Sequence, residues 1–123
     1  MASTTELRDL IAAIKDGQLS VTDVKDLLDH PSALVRANAI IALPARVSDV
    51  DELVTDLTLA ASRPQNTAYL IGTTSVADVA IGELIRTGSQ KAVAAARALV
   101  QTWADSRRTD LNRYLKSEHM SVI

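Results

Sequence analysis

Leu27-Leu28-Asp29-His30-Pro31-Ser32-Ala33-Leu34-Val35-Arg36-Ala37-Asn38-Ala39-Ile40-Ile41-Ala42-Leu43 reads as the end of one amphipathic helix, a break at a proline, and the start of another. Before the break, Val21, Val24, Leu27 and Leu28 fall on one stripe of a helix from Ser20 to about Asp29. After it, Leu34, Val35, Ala39, Ile40 and Leu43 form the stripe of the next. A proline in the first helical turn removes an N–H that has no intrahelical partner, so Pro31 is expected to open the second helix and Pro44 to end it. Strand-like alternation of period two is absent, and the chain reads as all-α.

Working outward, the phrase Ser-x-x-Asp recurs at Ser20–Asp23, Ser48–Asp51 and Ser75–Asp78, with steps of 28 and then 27 residues. Each copy stands ahead of an apolar run, where a hydroxyl caps the first unbonded N–H groups and the acid meets the positive end of the helix dipole. A cap signal at constant spacing predicts one helical unit laid down several times. Ser3-Thr4-Thr5-Glu6 is a further expected capping box, with Leu7, Leu10, Ile11 and Ile14 behind it and Gly17 as the stop. Ser48 is expected to cap a helix carrying Val50, Leu53, Val54 and Leu57. A short helix over Ala68–Ile71 would close at Gly72, Ser75 would cap Val76–Ile85, and Ser89 would cap the Ala-rich Lys91–Trp103 run. A last helix from about Thr109 to Ser117 keeps Leu111, Tyr114 and Leu115. Eight helices in four hairpins result, at about 3–29, 31–60, 63–87 and 89–117, within one domain spanning 1–123. The tail 118–123, apolar at its end, is expected to fold back on the last hairpin.

The 123 residues are 47% apolar and 23% charged, an ordinary globular balance. With no Phe, one Trp and two Tyr, the core must be aliphatic. Lack of Cys excludes disulfides, thiolate metal sites and a cysteine nucleophile. The first residues carry acids at once and do not resemble a secretory leader, and no apolar stretch approaches membrane-spanning length. The expectation is a cytoplasmic protein.

The Leu27–Leu43 stretch resembles the central phrase of HEAT repeats, closest to the short HEAT-like class named after the phycobilisome lyases: Leu-Leu, Asp, Pro, then Val-Arg, then Ala and Ala-Leu. The resemblance implies a right-handed α-solenoid of about four antiparallel hairpins. By the same resemblance, Val35 fills the interhelical core while Asp29 and Arg36 form a ladder between neighbouring repeats. The last hairpin keeps Leu84-Ile85, Gly88-Ser89, Ala96 and Leu99 but has no Val-Arg pair, and Pro64–Gly72 lacks the pattern. HEAT-like proteins are mostly binding scaffolds, with a minority of enzymes.

In such solenoids the second helix of each hairpin lines the concave side, here about 20–29, 48–60 and 75–87. These hold nine acids against Lys25 and Arg86, a balance of −7. Asp23, Asp26, Asp51, Glu52, Asp56 and Glu83 are therefore the expected docking residues for a basic protein surface. The function expected is a non-enzymatic scaffold or adaptor, with an immunity-like or antitoxin-like inhibitor of a basic toxin as a narrower version. First-turn acids are also what helix dipoles favour, so part of this excess has a structural explanation.

Residues 63–123 reverse the sign, with eight Lys/Arg against five Asp/Glu. Arg97, Arg107, Arg108, Arg113 and Lys116 with Trp103 form an alternative, nucleic-acid-binding reading. Trp103, Tyr114, Met120 and Ile123 would support self-association if they left that end apolar. Catalysis is poorly supplied: His30 and His119 lie far apart in sequence, without acids at metal-ligand spacing, and no Gly-rich phosphate loop occurs. No catalytic, cofactor or metal residues are assigned.

Overall fold

The computed structural model describes residues 4–123. It is predominantly helical, with seven α-helices among the described residues: α1 (Thr4–Lys15), α2 (Val21–Leu27), α3 (Ala33–Arg46), α4 (Val50–Ser62), α5 (Val76–Thr87), α6 (Gln90–Val100) and α7 (Asp105–Ser117). Between α4 and α5 lie a 3₁₀ turn, Pro64–Thr67, and two short strands, β1 (Tyr69–Ile71) and β2 (Thr74–Ser75).

Side-chain caps set most of the helix starts. Ser20 Oγ accepts from the N–H of Asp23 at 3.1 Å, Ser32 Oγ from Val35 at 3.3 Å, and Ser89 Oγ from Ala92 at 3.0 Å. Ser75 and Asp78 complete a reciprocal capping box, with bonds of 3.1 and 2.9 Å. The middle copy of the repeated phrase is out by one residue: Asp49, not Ser48, accepts from the N–H of Glu52 at 3.0 Å. Two good capping residues stand side by side there, and the carboxylate takes the position. Ser3, the first residue of the expected N-terminal box, lies outside the described residues.

Both prolines behave differently from expectation. Pro31 precedes the cap residue Ser32 and stays outside the helix. Pro44 lies inside α3, in its last turn, where the missing N–H removes one bond just before the helix ends at Arg46.

The expected fifth helix is absent. Pro64 and Gly72 leave too few residues for a stable helix. Tyr69-Leu70-Ile71 instead pairs antiparallel with Thr74-Ser75, and Gly72 turns the chain with φ +56°. Tyr69 and Ile71 stand 62% and 72% exposed with Leu70 half-buried between them, the alternation of a strand. The last helix begins a turn earlier than Thr109, at Asp105.

Loss of that helix shifts every later one by a place. The extensive helix–helix contacts join neighbours along the chain or next-but-one partners: α1 with α3, α3 with α5, α5 with α7, and α4 with α6. Lys25 on α2 reaches Glu52 and Asp56 on α4, so α2, α4 and α6 form the companion row to α1, α3, α5 and α7. Residues 75–87, expected beside 20–29 and 48–60, belong to the other row. In that place α5 is covered on all sides, and each residue from Val76 to Leu84 is buried. Ile40, Leu43, Leu57, Ile81, Leu84, Leu111 and Leu115 are wholly enclosed, an aliphatic core as the composition requires.

The tail folds back. Met120 N–H bonds to Leu115 O at 2.8 Å, Ile123 N–H to Asn112 Oδ1 at 3.1 Å, and both side chains pack on the core. Gly82 makes room for this: a Cβ there would stand 3.1 Å from Met120 Cε and 3.1 Å from Tyr114 Cε2. Trp103 is buried and Tyr114 packs against the core, so the four residues expected to leave this end apolar are turned into the fold.

Candidate interaction face

The acidic surface rests on α2 and α4 alone. Asp23 and Asp26 are exposed on α2, and neither has a cationic partner among the described residues. On α4, Asp51 meets Lys91 of α6 at 2.7 Å while its side chain stays 74% exposed. Glu52 and Asp56 share Lys25, Asp56 at 3.3 Å. That sharing raises the Lys25 pKa, chiefly through the bond to Glu52, with burial opposing and Asp56 adding. Glu52 and Asp56 thus tie α2 to α4, whereas Asp23 and Asp26 do no such work. Val21, Val50 and Leu59 stand exposed on the same two helices, at 39%, 46% and 54%. The ridge is therefore mixed acidic and apolar.

Glu83 is not on a docking surface. It belongs to α5, is 4% exposed, and holds Arg86 Nη1 at 2.9 Å one turn away. Burial pushes its carboxyl above the usual range, against the pull of Arg86, with Glu118 adding a smaller push upward. Asp78 on the same helix is also buried, and burial raises its pKa despite two bonds to Ser75 that lower it. Glu83 was expected on the docking face because the resemblance set its helix beside 20–29 and 48–60, whereas α5 packs in the core.

Asp29 and Arg36 each link the region of the α2–α3 loop to the turn after α4, by separate bonds. Val35 is wholly buried. Arg36, 6% exposed, donates from Nε to Asn66 Oδ1 at 2.8 Å and from Nη1 to the carbonyls of His30 and Pro31 at 2.8 and 3.0 Å. Asn66, fully buried, passes the connection on by donating to Ala60 O at 2.8 Å. Among the described residues the guanidinium has no carboxylate partner, and burial lowers its pKa. Asp29 pairs instead with Arg63, over the same junction. His30 Nδ1 accepts from the N–H of Ser32 at 3.0 Å and so serves the turn.

The structure brings Arg97 and Arg108 to one surface pocket and Arg113 and Lys116 to another. Trp103 is 8% exposed, and Arg107 stacks on its ring 4.0 Å from the centroid. Arg108 pairs with Asp105, and Arg113 contacts Asp110 at 3.2 Å and Thr73 Oγ1 at 3.2 Å. Arg97 and Lys116 are exposed, the first on α6 and the second on α7.

Two features escaped the sequence reading. A polar cleft of about 270 Å³ between the β-hairpin and α7 is lined by Tyr69, Asp78, Arg107 and Asp110, with Tyr69 Oη donating to Asp110 Oδ2 at 3.0 Å. Its only advance signal was the failure of the repeat pattern over Pro64–Gly72. A larger groove of about 570 Å³ separates α1 from α3. Among the described residues no group of three or more His, Cys, Asp or Glu is placed to hold a metal ion, and no helix is long and apolar enough to cross a membrane. No protein-family model, curated protein or solved structure matches this chain.

Proposed function

We propose that the chain is a short right-handed HEAT-like solenoid and works as a non-enzymatic cytoplasmic docking module, offering α2 and α4 to a basic surface on another protein. The observation that carries this reading is the pair Asp23 and Asp26, exposed on α2 together with Val21 and beyond the needs of helix-to-helix pairing, while Val50 and Asp51 stand exposed at the start of α4. Carboxylates interspersed with apolar side chains supply steering and area together. Next-but-one packing supports the stacked arrangement, since each unit of a solenoid covers only its neighbours. Polar outer faces on α1 and α7 support its being a capped, finite stack. Among the residues exposed there are Arg8, Asp9 and Lys15 at one end, and Thr109, Arg113 and Lys116 at the other. Burial of Trp103 weighs against the nucleic-acid reading, which needs a stacking platform.

The test is a calorimetric titration of a co-purified partner against wild type and the double variant Asp23→Lys with Asp26→Lys. Both positions are exposed, so the fold is expected to survive the change. Affinity is expected to fall about tenfold or more, with the wild-type affinity weakening steeply as salt rises. Equal affinities for the two proteins would remove this ridge from the interface.

A further inference from the structure

We propose that the groove between α1 and α3 is a second docking site, and that its occupant is an acidic peptide segment. The segment inserts an apolar side chain between the helices and sets a carboxylate against Arg46. This site lies on the row opposite the α2–α4 ridge and takes a ligand of opposite charge, so it stands independently of that reading.

Helix α3 carries two apolar stripes. Val35, Ala39, Ile40 and Leu43 face the core and are buried. Ile41, Ala42 and Ala45 recur at helical spacing on another side, where Ile41 is left 49% exposed. With Ile14 of α1 they line a concavity of about 570 Å³, within the usual size of a ligand site. All the charge in the lining is positive, from Lys15 and Arg46.

The last-turn positions of Lys15 and Arg46 are explained by the negative ends of α1 and α3. The state of Arg46 is not. Its Nη2 is buried and finds no hydrogen-bond acceptor among the described residues. Gly17, at φ +70°, lets the guanidinium lie against the chain, because a Cβ there would stand 3.0 Å from Nη2. A donor buried without an acceptor is costly, so the Arg46 side chain gains by turning out from Gly17 to a carboxylate in the groove, which matches it in charge. The apolar stripe beside it selects a ligand that brings both an apolar side chain and an acid. A peptide with Leu and Glu at helical spacing presents that combination.

The probe is an acetylated and amidated peptide of about a dozen residues, with Leu and Glu at i, i+3 and i+4 spacing. Its binding to the full chain is followed by methyl NMR. The expected result is saturable shifts at Ile41 and Ala45, with Kd raised about tenfold by Ile41→Asp or by Arg46→Gln. Ile71→Asp on β1, also exposed and outside both the groove and the α2–α4 ridge, is expected to leave Kd unchanged. A counterpart peptide with Gln in place of Glu is expected to bind at least about tenfold more weakly. Equal binding of the Gln peptide, insensitivity to Ile41→Asp, or shifts confined to residues outside the groove would each overturn the proposal. So would concentration-dependent shifts at Ile41 and Ala45 without peptide, which would assign the groove to a second copy. Decanoate that saturates the groove more tightly than the peptide would likewise overturn it, assigning the groove to a small amphiphile.

Discussion

Arg36 Nε lies 2.8 Å from Asn66 Oδ1, and through this bond a buried cation joins the loop ahead of α3 to the turn behind α4. Among the described residues every hydrogen-bond acceptor of the guanidinium is neutral: Asn66, and the carbonyls of His30, Pro31 and, more distantly, Gln65 at 3.4 Å. The arrangement holds its charge by dipoles alone, which works only while each acceptor is in place.

Arg36→Ala is expected to cost about 1–3 kcal/mol, since it leaves Oδ1 of the fully buried Asn66 without its donor and removes the bonds to two loop carbonyls. Asn66→Ala is expected to cost a similar amount by removing an acceptor from the buried cation. Because the two share one bond, the double variant should be less destabilised than the sum of the singles, with a coupling of roughly 0.5–3 kcal/mol. Urea unfolding of the four proteins measures this. Additive costs would mean that the two side chains act separately.

Gly82 is the point where α5 admits the last helix and the tail. Gly82→Val places methyl groups where Tyr114 and Met120 already sit at 3.1 Å from an added Cβ, and overpacking of this kind costs about 1–3 kcal/mol. Met120→Ala vacates part of that space. The cost of Gly82→Val should therefore shrink in a Met120→Ala background, as read from thermal melting. An unchanged cost there would place the strain in α5 itself and not at the tail.

Much of the fold was legible, and what was not has particular causes. Ser20, Ser75 and Ser89 could be read as caps because each precedes an apolar helical stripe, and Gly17 and Gly88 as stops because their positive φ suits glycine. The aliphatic core followed from the lack of aromatics. Tyr69-Leu70-Ile71 is too short to show any period, so strand and helix could not be told apart there. One missing helix then moved α5 into the other row, a tertiary fact without a local signature. On the candidate face, the exposed carboxylates of Asp23 and Asp26 were legible, but the burial of Glu83 depended on that row change. The α1–α3 groove stayed hidden because Ile41 and Ala45 fall outside the expected core stripe, and the space that α1 leaves beside them has no local signature.

Burial of two acids near α5 gives stability a distinct pH dependence. Glu83 has its pKa raised above 4.5 by burial, so in the interval above 4.5 the folded state holds its proton more tightly than the unfolded one. Fewer protons bound in the unfolded state means that stability falls as pH rises through that interval. Glu83→Gln should flatten the fall while keeping the side chain's reach to Arg86. The Tyr114 hydroxyl, pushed by burial from 10.0 to about 12, acts with the same sign at alkaline pH. Stability should drop between those values, and Tyr114→Phe should remove part of the drop. Denaturation midpoints measured across both ranges test each claim, and variant slopes equal to wild type would refute the assigned groups.

Gly72 holds the tip of the hairpin in the left-handed region, and substitution there reports on that turn. At the tip of the β1–β2 turn, with φ +56°, a Cβ meets no atom within 4 Å, so space is not the obstacle. The penalty is conformational, about 1–2 kcal/mol for an L-residue held in the left-handed region. Gly72→Ala should therefore lower the unfolding midpoint, and Gly72→Asn, whose side chain tolerates that region, should lower it less. A rise with Ala would mean that residue 72 does not hold the left-handed conformation of this turn. The pairing of Tyr69 with Asp110 would then be lost, since it depends on a strand carrying the hydroxyl out to α7.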